Sequence, residues 1–532
     1  MRKHAKGSSI LLLALASALS GCTFVAPTMP QAVYPRDFPQ VPPPSAAAAL
    51  VPAGYRVEVV VKDLEYPTSV ETDEAGNLYI AEAGYAYGDP VAPARILRVA
   101  PDGKINIVAE QLRGPINDIM WHGGRLYISH FGRISALEAN GTVRDLVTGL
   151  PATAGHQNNQ MSVGPDGKIY FGMGTATNSG VVGLDEAYPF MGLLLWPDVR
   201  DIPARDIRLR GVTYTTPHPN NVLARQGALT SLWSNLTYAV TSVFNHDVNN
   251  SMLVDTGAFQ PFGHAGATTV KGETKSNGTI LRMNADGSGL EVYAWGFRNP
   301  YGVRWSPDGR LFASENAYDE RGSRPIANAE DNMWVVRQNA WYGWPDYSSG
   351  IPVTDPRFRS TRGPAPEFLM AEHPPVEKPL FTRPKHAALT KFDFSRSAAF
   401  GFQGEMFLGE FGAGVPITGA DGTMSGQQVV RVNPATGQSE PFFRARPEAL
   451  GPRGQEYVQT AAPKHPVDVR FSRDGNALYI ADIGALKIYL AGAGPFPRPW
   501  PTTGVIWRVT RDNAPAARPP ANLSPLPPRA NQ

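Results

Sequence analysis

Short stretches of alternating apolar and polar residues recur along the chain and end at turn residues. In each copy a first strand leads into a turn, often Asp-Gly or Gly-Gly, and then into a second strand of the type Leu-Tyr-Ile-Ala. A companion strand such as Ile96–Val99 or Ile280–Met283 follows most copies. Alternation with a period of two predicts half-buried β-strands, and Asp-Gly between two of them predicts a hairpin. The six copies occupy residues 67–81, 115–129, 159–172, 300–313, 390–409 and 465–481.

Six such hairpin units cannot each bury an apolar face alone, and stacking them radially around one axis solves this problem while leaving only short edges. The pattern therefore predicts an all-β fold, a six-bladed β-propeller over residues 53–510. We expect the strands containing Val70, Val303 and Val469 to line the central channel. We also expect the Ile506–Val509 strand to join the first blade and close the ring. Two packed β-sandwiches are the alternative, but they would not require a repeated unit.

The repeats are unevenly spaced. The first three begin at residues 67, 115 and 159 and the fourth begins at 300, which predicts a long, partly helical insertion between blades three and four. The apolar residues with the i, i+3, i+4, i+7 spacing of a helix are Leu229, Leu232, Trp233, Leu236, Val240, Val243 and Phe244. This helix would either pack on the rim of the propeller or form a lid over the central channel.

The N-terminus has the pattern of a secretory signal. A basic start and a short apolar run precede Leu-Ser-Gly-Cys, which ends at the only cysteine, Cys22. The run is too short to span a bilayer, and Leu-Ser-Gly-Cys resembles the lipobox of bacterial lipoproteins. We therefore expect a signal peptide at 1–21, a lipidated Cys22 that begins a proline-rich linker at 22–52, and a lipid-anchored protein of the bacterial cell envelope that faces the periplasm or the exterior. A buried N-terminal strand with a chance cysteine is the alternative. The proline-rich tail at 511–532 is expected to be disordered.

Composition narrows the classes of function. The chain has 532 residues, of which 42% are hydrophobic and 18% charged, and its formal net charge is +2. This balance allows a packed core and gives no electrostatic footprint for nucleic acid. One cysteine excludes an internal disulfide and a cysteine-based zinc site. The sequence has no G-x-S-x-G, P-loop, G-x-G-x-x-G or H-E-x-x-H motif, which disfavours serine hydrolases, NTPases, nicotinamide dehydrogenases and zincins.

Polar residues cluster at one end of several repeats, mostly in the loops just before the inner strands. The clusters are Gly155–Gln160, Gly296–Gly302, Ser314–Asp319 with Asp331 after it, Trp341–Pro345 and Lys464–Asp468. Such loops converge on the central channel of a propeller, so we expect a ligand site at this end.

These motifs resemble those of the glucose/sorbosone dehydrogenases, six-bladed propellers that use pyrroloquinoline quinone (PQQ) and calcium. The resemblance covers about residues 54–510. It rests on Gly-Phe-Arg-Asn-Pro-Tyr-Gly at 296–302, His-Gln-Asn-Asn-Gln at 156–160 and Tyr-Gly-Trp-Pro at 342–345. It implies a PQQ-dependent dehydrogenase that oxidises an aldose or related sugar, with hydride passing to the quinone and electrons passing on to a respiratory acceptor.

The resemblance also implies roles for individual residues. His156 would be the general base that accepts the hydroxyl proton, and Arg298 would stabilise the negative charge that develops on the quinone. The implied cofactor contacts are Gln157, Arg298, Asn299, Trp344 and His465. The alternatives are a hydrogen-bonding loop histidine for His156, an ion pair with a blade carboxylate for Arg298, and a packing corner for Trp344.

A calcium site is implied at the third cluster. Ala317 and Tyr318 would bind the metal through their backbone carbonyls, with Asp331 nearby in the same motif. Hard oxygen donors of this kind suit calcium. A solvated acidic loop without metal is the alternative.

This chain departs from the family pattern at three places. It has Gly155 where the family often carries an aspartate before the histidine, so the orienting carboxylate is expected to come from elsewhere. It has Phe411-Gly412-Ala413 where PQQ-binding members place a lysine, and His465 and Val467 where they place arginines. Lys464, Lys385 and His386 are the alternative sources of the positive charge that these departures remove.

Three functions follow from these features. A PQQ-dependent sugar dehydrogenase is favoured by His156 together with Arg298 and Asn299. A propeller lipoprotein that has lost the cofactor, and acts in carbohydrate binding or envelope scaffolding, is favoured by the missing cations. A calcium-dependent lactonase is the third, because hydrolases also use six-bladed propellers with a central metal.

Overall fold

The repeated hairpins form six antiparallel sheets, the blades of a β-propeller. This is a computed structural model, and it describes residues 40–86, 89–90, 93–183, 185, 198–217, 253–412, 425–450, 460–491, 494–512 and 523–529. From the inner strand outward, the first three blades are Pro67–Thr72, Leu78–Glu82, Ala94–Val99 and Ile105–Leu112; Ile116–His122, Arg125–His130, Arg133–Leu137 and Val143–Val147; and Asn158–Val163, Ile169–Met173, Thr279–Met283 and Glu291–Trp295. The last three are Asn299–Trp305, Leu311–Asn316, Asp331–Val336 and Phe381–Arg383; Leu389–Phe394, Met406–Glu410, Gln428–Val432, Ser439–Ala445 and Ala49–Leu50; and Pro466–Phe471, Ala477–Asp482, Gly504–Arg511 and Tyr55–Leu64.

The inner strands form a closed ring. Each contacts the inner strands of the two neighbouring blades, and that of blade six contacts that of blade one. Val70, Val303 and Val469 lie on three of these strands and are fully buried. The predicted six-bladed propeller is confirmed, and all six predicted repeats supply the inner hairpin of a blade.

The ring closes differently from the prediction. The strand Gly504–Arg511 belongs to blade six, and the N-terminal strand Tyr55–Leu64 pairs with it from Tyr55↔Arg511 to Leu64↔Gly504. The prediction that Ile506–Val509 joins the first blade is therefore wrong. Alternating apolar residues show that a strand forms, but its neighbours depend on the course of the whole chain.

The core consists of apolar layers between adjacent blades. Between blades two and three, for example, Met120 and Tyr127 pack with Phe171 and Leu281. Equivalent clusters fill the other blade junctions, including the one between blades six and one. This explains why the second strands, which face a neighbour on each side, are mostly apolar.

The long insertion lies inside blade three, between its second and third strands, and not after that blade as predicted. Its described part contains two pairs of strands, Ile207–Arg208 with Thr269–Val270 and Thr213–Pro217 with Leu253–Gly257. The predicted helix over Leu229–Phe244 lies outside the described residues.

A second insertion follows the third strand of blade four. It contains the strand pair Tyr347–Ser348 with Ile351–Pro352 and the short 3₁₀ helix Pro356–Phe358. Residues of both insertions share one apolar cluster, whose members include Val181, Tyr214, Phe259, Trp341, Trp344 and Phe358. The two insertions thus support each other next to the loops that precede the inner strands.

The remaining elements are short. They are the strand pairs Tyr85–Ala86 with Asp89–Pro90 and Leu486–Ala491 with Gly494–Pro499, and the 3₁₀ helices Ala46–Ala48 and Pro447–Ala449. Among the described residues no helix is both long and apolar enough to cross a membrane. The predicted signal peptide, Cys22 and most of the predicted linker lie outside the described residues.

Part of the tail that was expected to be disordered packs on blade one. Residues 523–529 are described, and the amide of Ile105 donates to the Ser524 hydroxyl at 2.8 Å. Arg529 pairs with Glu65 and with buried Glu82, both at 3.1 Å. These contacts join residues that are far apart in the chain. The local sequence pattern of the tail therefore could not predict them.

Candidate functional site

The predicted site residues lie at one end of the ring because every inner strand runs in the same direction. His156 comes two residues before the inner strand of blade three, Arg298 one residue before that of blade four, and His465 one residue before that of blade six. The structure therefore brings the three loops to the same face of the propeller.

His156 is half-buried and held through one ring nitrogen. Its Nδ1 lies 2.8 Å from the carbonyl oxygen of Thr175. Because a carbonyl can only accept, Nδ1 carries the proton and the neutral ring keeps an unprotonated Nε2. Burial lowers the pKa of His156 well below its ordinary value, and the charges of Arg298 and Arg321 lower it further. His156 is therefore a neutral base with a defined tautomer at neutral pH.

Arg298 is buried, with three guanidinium nitrogens engaged. Nε donates to Asn178 Oδ1 at 3.1 Å, and one terminal nitrogen donates to the carbonyl of Asn316 at 3.3 Å. The other pairs with Asp319 at 2.7 Å, and Asp319 also pairs with Arg321 at 3.1 Å. An ion pair, the alternative for Arg298, is thus present. Each terminal nitrogen keeps a second N–H beyond these bonds, so the ion pair leaves capacity for another acceptor.

One short segment, residues 174–180, joins these groups. Thr175 accepts from His156 through its carbonyl, and its amide donates to the carbonyl of Arg298 at 2.8 Å. A Cβ on Gly174 would lie 2.4 Å from His156 Cβ and 2.7 Å from Asn299 Oδ1. The close approach requires glycine here, and His156, Arg298 and Asn299 meet around the same stretch of backbone.

Two residues of this arrangement were missed by sequence reasoning. Asn178 accepts a hydrogen bond from Arg298 Nε through its side-chain oxygen. Its side-chain nitrogen donates to the carbonyls of Asp319 at 2.8 Å and Arg321 at 3.1 Å. Asp201, from the insertion, accepts hydrogen bonds from segment 174–180. A run of small and polar residues directly after a strand was an available signal for Asn178. For Asp201 the sequence offers none, because it lies far along an irregular insertion.

Asn299 connects three inner strands through a chain of amides. Asn159 Nδ2 donates to Asn299 Oδ1 at 2.9 Å, Asn299 Nδ2 donates to Asn316 Oδ1 at 2.9 Å, and Asn316 Nδ2 donates to the carbonyl of Leu389 at 2.7 Å. Gln157 is the acceptor for Asn117 Nδ2 at 3.3 Å. These bonds fix the mouth of the channel, and each amide keeps part of its hydrogen-bonding capacity.

Trp344 is buried between the two insertions. Its Nε1 donates to the carbonyl of Asn178 at 3.3 Å, and its ring meets Phe259 edge to face at 5.5 Å. With Arg298 and Tyr318 it lines a cavity of about 10 Å³, which is room for a single water molecule. The packing-corner alternative therefore describes the contacts of Trp344.

His465 is buried at the junction of blades five and six. Its Nδ1 donates to the carbonyl of Phe411 at 2.8 Å, and the two rings stack at 4.3 Å. Burial lowers the pKa of His465 to about 4, so the imidazole is neutral. The neighbouring Lys464 donates to the carbonyls of Thr460 and Ala462 at 2.7 and 3.0 Å. Here an aromatic ring and a neutral imidazole stand where the family resemblance implies cations.

The carboxylate of Asp331 caps backbone amides. Oδ1 accepts from Ala317 at 2.9 Å and Oδ2 accepts from Leu389 at 3.2 Å. Burial raises the pKa of Asp331 to about 7. Tyr318 donates its hydroxyl proton to the carbonyl of Tyr347 at 3.1 Å. Asp331 thus contacts the Ala317–Tyr318 backbone through the amide of Ala317. Within the described ranges, no group of three or more histidine, cysteine, aspartate or glutamate residues could hold a metal ion.

Further along the axis, the channel is filled by paired charges. Lys391 Nζ lies 3.2 Å from Asp118 and 3.6 Å from Asp468, and Arg470 lies 2.8 Å from Asp118. All four are buried. Burial alone would raise the pKa of Asp468, but the charges of Lys391 and Arg470 bring it below its usual value. The charges compensate each other, as burial requires, and close the axis below the candidate site.

Comparison with known proteins places these observations in a family context. Residues 234–433 match the family model described as glucose / sorbosone dehydrogenase. Quinoprotein glucose dehydrogenase B of Acinetobacter calcoaceticus is 22% identical over 202 residues, which are 38% of this chain and 28% of that protein. The match thus spans little more than a quarter of the relative's own length.

Solved structures show the same fold. The holo form of the pyranose dehydrogenase PQQ domain from Coprinopsis cinerea has a TM-score of 0.50 at 15% identity, covering 89% of this chain and 99% of that one. The calcium structure of carbohydrate-active enzymes family AA12 from Trichoderma reesei has a TM-score of 0.50 at 14% identity, covering 89% and 98%. Arg298, Asn299, Ala317 and Tyr318 lie inside the matched range, whereas His156 and His465 lie before and after it. The resemblance of this chain to the glucose/sorbosone dehydrogenases is therefore confirmed, with residues 234–433 carrying the match.

Proposed function

We propose that this protein is a PQQ-dependent dehydrogenase that oxidises an aldose or a related sugar. The observation that carries the proposal is the convergence of His156 and Arg298 on segment 174–180, at the mouth of a six-bladed propeller. The family match over residues 234–433 and the quinoprotein relative support the same chemistry. Electrons would pass to a respiratory acceptor.

His156 supplies the base. Its Nδ1 proton is committed to the carbonyl of Thr175 at 2.8 Å, so Nε2 is the atom that accepts the proton of the sugar hydroxyl. A neutral imidazole can do this without first losing a proton to solvent. When bound, PQQ supplies the quinone that accepts the hydride from the substrate carbon.

Arg298 would bind the cofactor and stabilise the negative charge that develops on the quinone. The donor set fits one anionic oxygen there, because the guanidinium keeps a second N–H on each terminal nitrogen and is shielded from water. Gln157, Asn299, Trp344 and His465 are proposed as further contacts. The fit is weaker beside His465, whose neutral ring and Phe411 neighbour offer stacking rather than charge.

Calcium is proposed to bind the backbone carbonyls of Ala317 and Tyr318. The chemistry of these donors fits a hard cation, but two carbonyls fill only part of its coordination shell. Asp331 orients the Ala317–Tyr318 backbone by accepting from the amide of Ala317 at 2.9 Å. The remaining ligands would come from the cofactor or from water.

Reconstitution tests the proposed function directly. The purified full chain is titrated with PQQ in the presence of Ca²⁺, Mg²⁺ or a chelator, and binding is followed by quenching of tryptophan fluorescence. Aldoses are then supplied with an artificial dye as electron acceptor. PQQ binding with calcium-dependent dye reduction supports the proposal. A protein that binds sugar but no PQQ would instead be a cofactor-less carbohydrate-binding or scaffolding lipoprotein, and lactone hydrolysis without dye reduction would indicate a lactonase.

Because the pKa of His156 is low, we expect mild acid to leave the rate of sugar oxidation unchanged. The neutral imidazole is the active form, and burial with two neighbouring arginines lowers its pKa well below 6.5. We therefore expect kcat/KM to remain level as the pH falls from about 8 to about 6.5, and to be lost only as the pH falls through the lowered pKa. A pH–rate profile of the reconstituted enzyme checks this. Half-maximal loss at pH 6.5 or above would contradict it.

We further propose that Cys22 carries lipid and anchors the protein to the membrane of the bacterial cell envelope. The Leu-Ser-Gly-Cys motif behind a basic start is the basis. Cys22→Ala is expected to release the protein from the membrane fraction, because it removes the residue that would carry the acyl chains. Fractionation followed by immunoblotting, with Ser20→Ala as a matched control in the same motif, measures the effect. Wild-type levels of the Cys22 variant in the membrane would show a different anchor.

A further inference from the structure

Most of the described contacts of His156 depend on segment 174–180. The residue before His156 is Gly155, which offers no side chain. The partner of His156 Nδ1 is the carbonyl of Thr175 at 2.8 Å, and the Thr175 hydroxyl lies 3.3 Å from the same nitrogen. That hydroxyl donates to the carbonyl of Thr177 at 2.6 Å, so it too can only accept from the ring. The tautomer of His156 therefore depends on where this backbone lies.

The backbone of this segment is held by one carboxylate from the insertion. Asp201 is 1% exposed. Its Oδ1 accepts from the amides of Ala176 at 2.7 Å and Thr177 at 3.3 Å, and its Oδ2 accepts from the Thr177 hydroxyl at 2.5 Å. These three bonds fix the two residues that directly follow Thr175. The direction of the Thr175 carbonyl is set by the same peptide unit whose amide, that of Ala176, donates to Asp201.

The same segment positions Arg298. The amide of Thr175 donates to the Arg298 carbonyl at 2.8 Å, and Asn178 accepts from Arg298 Nε through its side-chain oxygen at 3.1 Å. The amide of Gly180 donates to the Thr177 hydroxyl at 2.7 Å, which closes the segment on itself. A shift of residues 176–177 would therefore move the supports of both His156 and Arg298.

We propose that Asp201 is the positioning residue of this site: it replaces the missing carboxylate before His156 by holding the backbone carbonyl that fixes the imidazole tautomer. The role of the site in turnover rests on the proposed function, whereas the effect of Asp201 on His156 does not. Asp201 touches neither substrate nor cofactor in this assignment. It acts through Thr175 and Asn178.

The test is Asp201→Asn, because asparagine keeps the size but has one acceptor oxygen and no charge, so that the bond from the Thr177 hydroxyl to Oδ2 has to reverse and the bonds to the amides weaken. The matched control is Asp73→Asn. Asp73 is also buried, accepts from the amides of Ala75 and Asn77 at 3.0 and 2.8 Å, and receives the Tyr79 hydroxyl at 3.1 Å. It lies in the inner hairpin turn of blade one, at the opposite end of the ring from His156.

The first readout is the tautomer of His156, measured by long-range ¹H–¹⁵N correlation in protein labelled with ¹⁵N-histidine. The signal is assigned by its loss in His156→Gln. In the wild type and in Asp73→Asn we expect the proton on Nδ1. In Asp201→Asn we expect a mixture of tautomers, because the Thr175 carbonyl that accepts from Nδ1 is no longer held firmly in place. A wild-type His156 spectrum in Asp201→Asn would overturn the proposal.

The second readout is the reconstituted enzyme. Asp201→Asn is expected to lower kcat by about 10²-fold through misplaced groups, with a smaller change in KM, whereas Asp73→Asn should lower thermal stability and leave kcat unchanged. If wild type shows no PQQ activity but the tautomer changes as described, the proposed function fails and this inference stands. If Asp201→Asn does not fold, Thr177→Val removes one of the three bonds and Thr177→Ser restores it. Equal His156 spectra for those two variants would also overturn the proposal.

Discussion

Replacing His156 by alanine is expected to lower turnover of the reconstituted enzyme by about 10²- to 10⁴-fold, the usual contribution of a positioned general base. PQQ binding should persist, because Arg298 keeps its partners Asn178, Asn316 and Asp319 without the imidazole. Steady-state kinetics with an aldose and a dye acceptor, together with fluorescence titration of PQQ, separate the two effects.

The matched control for this variant is His122→Ala. His122 ends the inner strand of blade two, at the opposite end of the ring from His156, so its removal should leave turnover near the wild-type value. Equal turnover of His156→Ala and wild type, with PQQ bound, would refute the role of His156 as base. A loss of PQQ binding in His156→Ala would assign the residue to the cofactor instead.

Replacing Arg298 by alanine is expected to lower both PQQ affinity and turnover, the latter by about 10²- to 10³-fold, the range for a lost donor at a developing negative charge. The guanidinium reaches three acceptors in different directions, Asn178, the carbonyl of Asn316 and Asp319. Arg298→Lys should restore little, because one ammonium cannot reproduce the planar fork. Titration with PQQ and single-turnover kinetics measure the two losses separately.

Arg304→Ala is the control for the loss of a half-buried, ion-paired arginine. Arg304 lies in the inner strand of blade four and pairs with buried Asp393 at 2.9 Å. Its removal should lower the thermal midpoint of unfolding, since buried Asp393 loses one of its two arginine partners and keeps only Arg396 at 3.0 Å, while PQQ affinity per folded molecule stays unchanged. Wild-type PQQ affinity and turnover in Arg298→Lys would contradict the assignment of Arg298 to directed hydrogen bonding.

Much of the propeller could be predicted from local pattern. The weak fifth copy, for example, is the hairpin of Leu389–Phe394 and Met406–Glu410, as its alternation indicated. Alternation and Asp-Gly turns encode strands and hairpins because both depend on neighbouring residues only. The closing strand Tyr55–Leu64 was missed, since it pairs with Gly504–Arg511 across almost the entire chain.

The candidate site divides in the same way. Sequence motifs singled out His156 and Arg298, and the common direction of the inner strands places both at one end. They did not show that Thr175 lies between them, that Asp319 pairs with Arg298, or that the Asp331 carboxylate caps amides instead of facing open solvent. Each of these contacts depends on where the irregular segments between strands lie, and no periodicity describes such segments.

The sequence by itself determined six hairpin repeats, their radial arrangement and the polar loops at one end of it. Only the tertiary structure decided that the insertion lies within blade three, that Asp201 of this insertion holds the backbone beside His156, and that residues 523–529 pack on blade one. The physical reason is the range of the interactions. Strands and turns follow from the conformational preferences of adjacent residues, whereas buried carboxylates and terminal segments find their partners only after distant parts of the chain have been brought together.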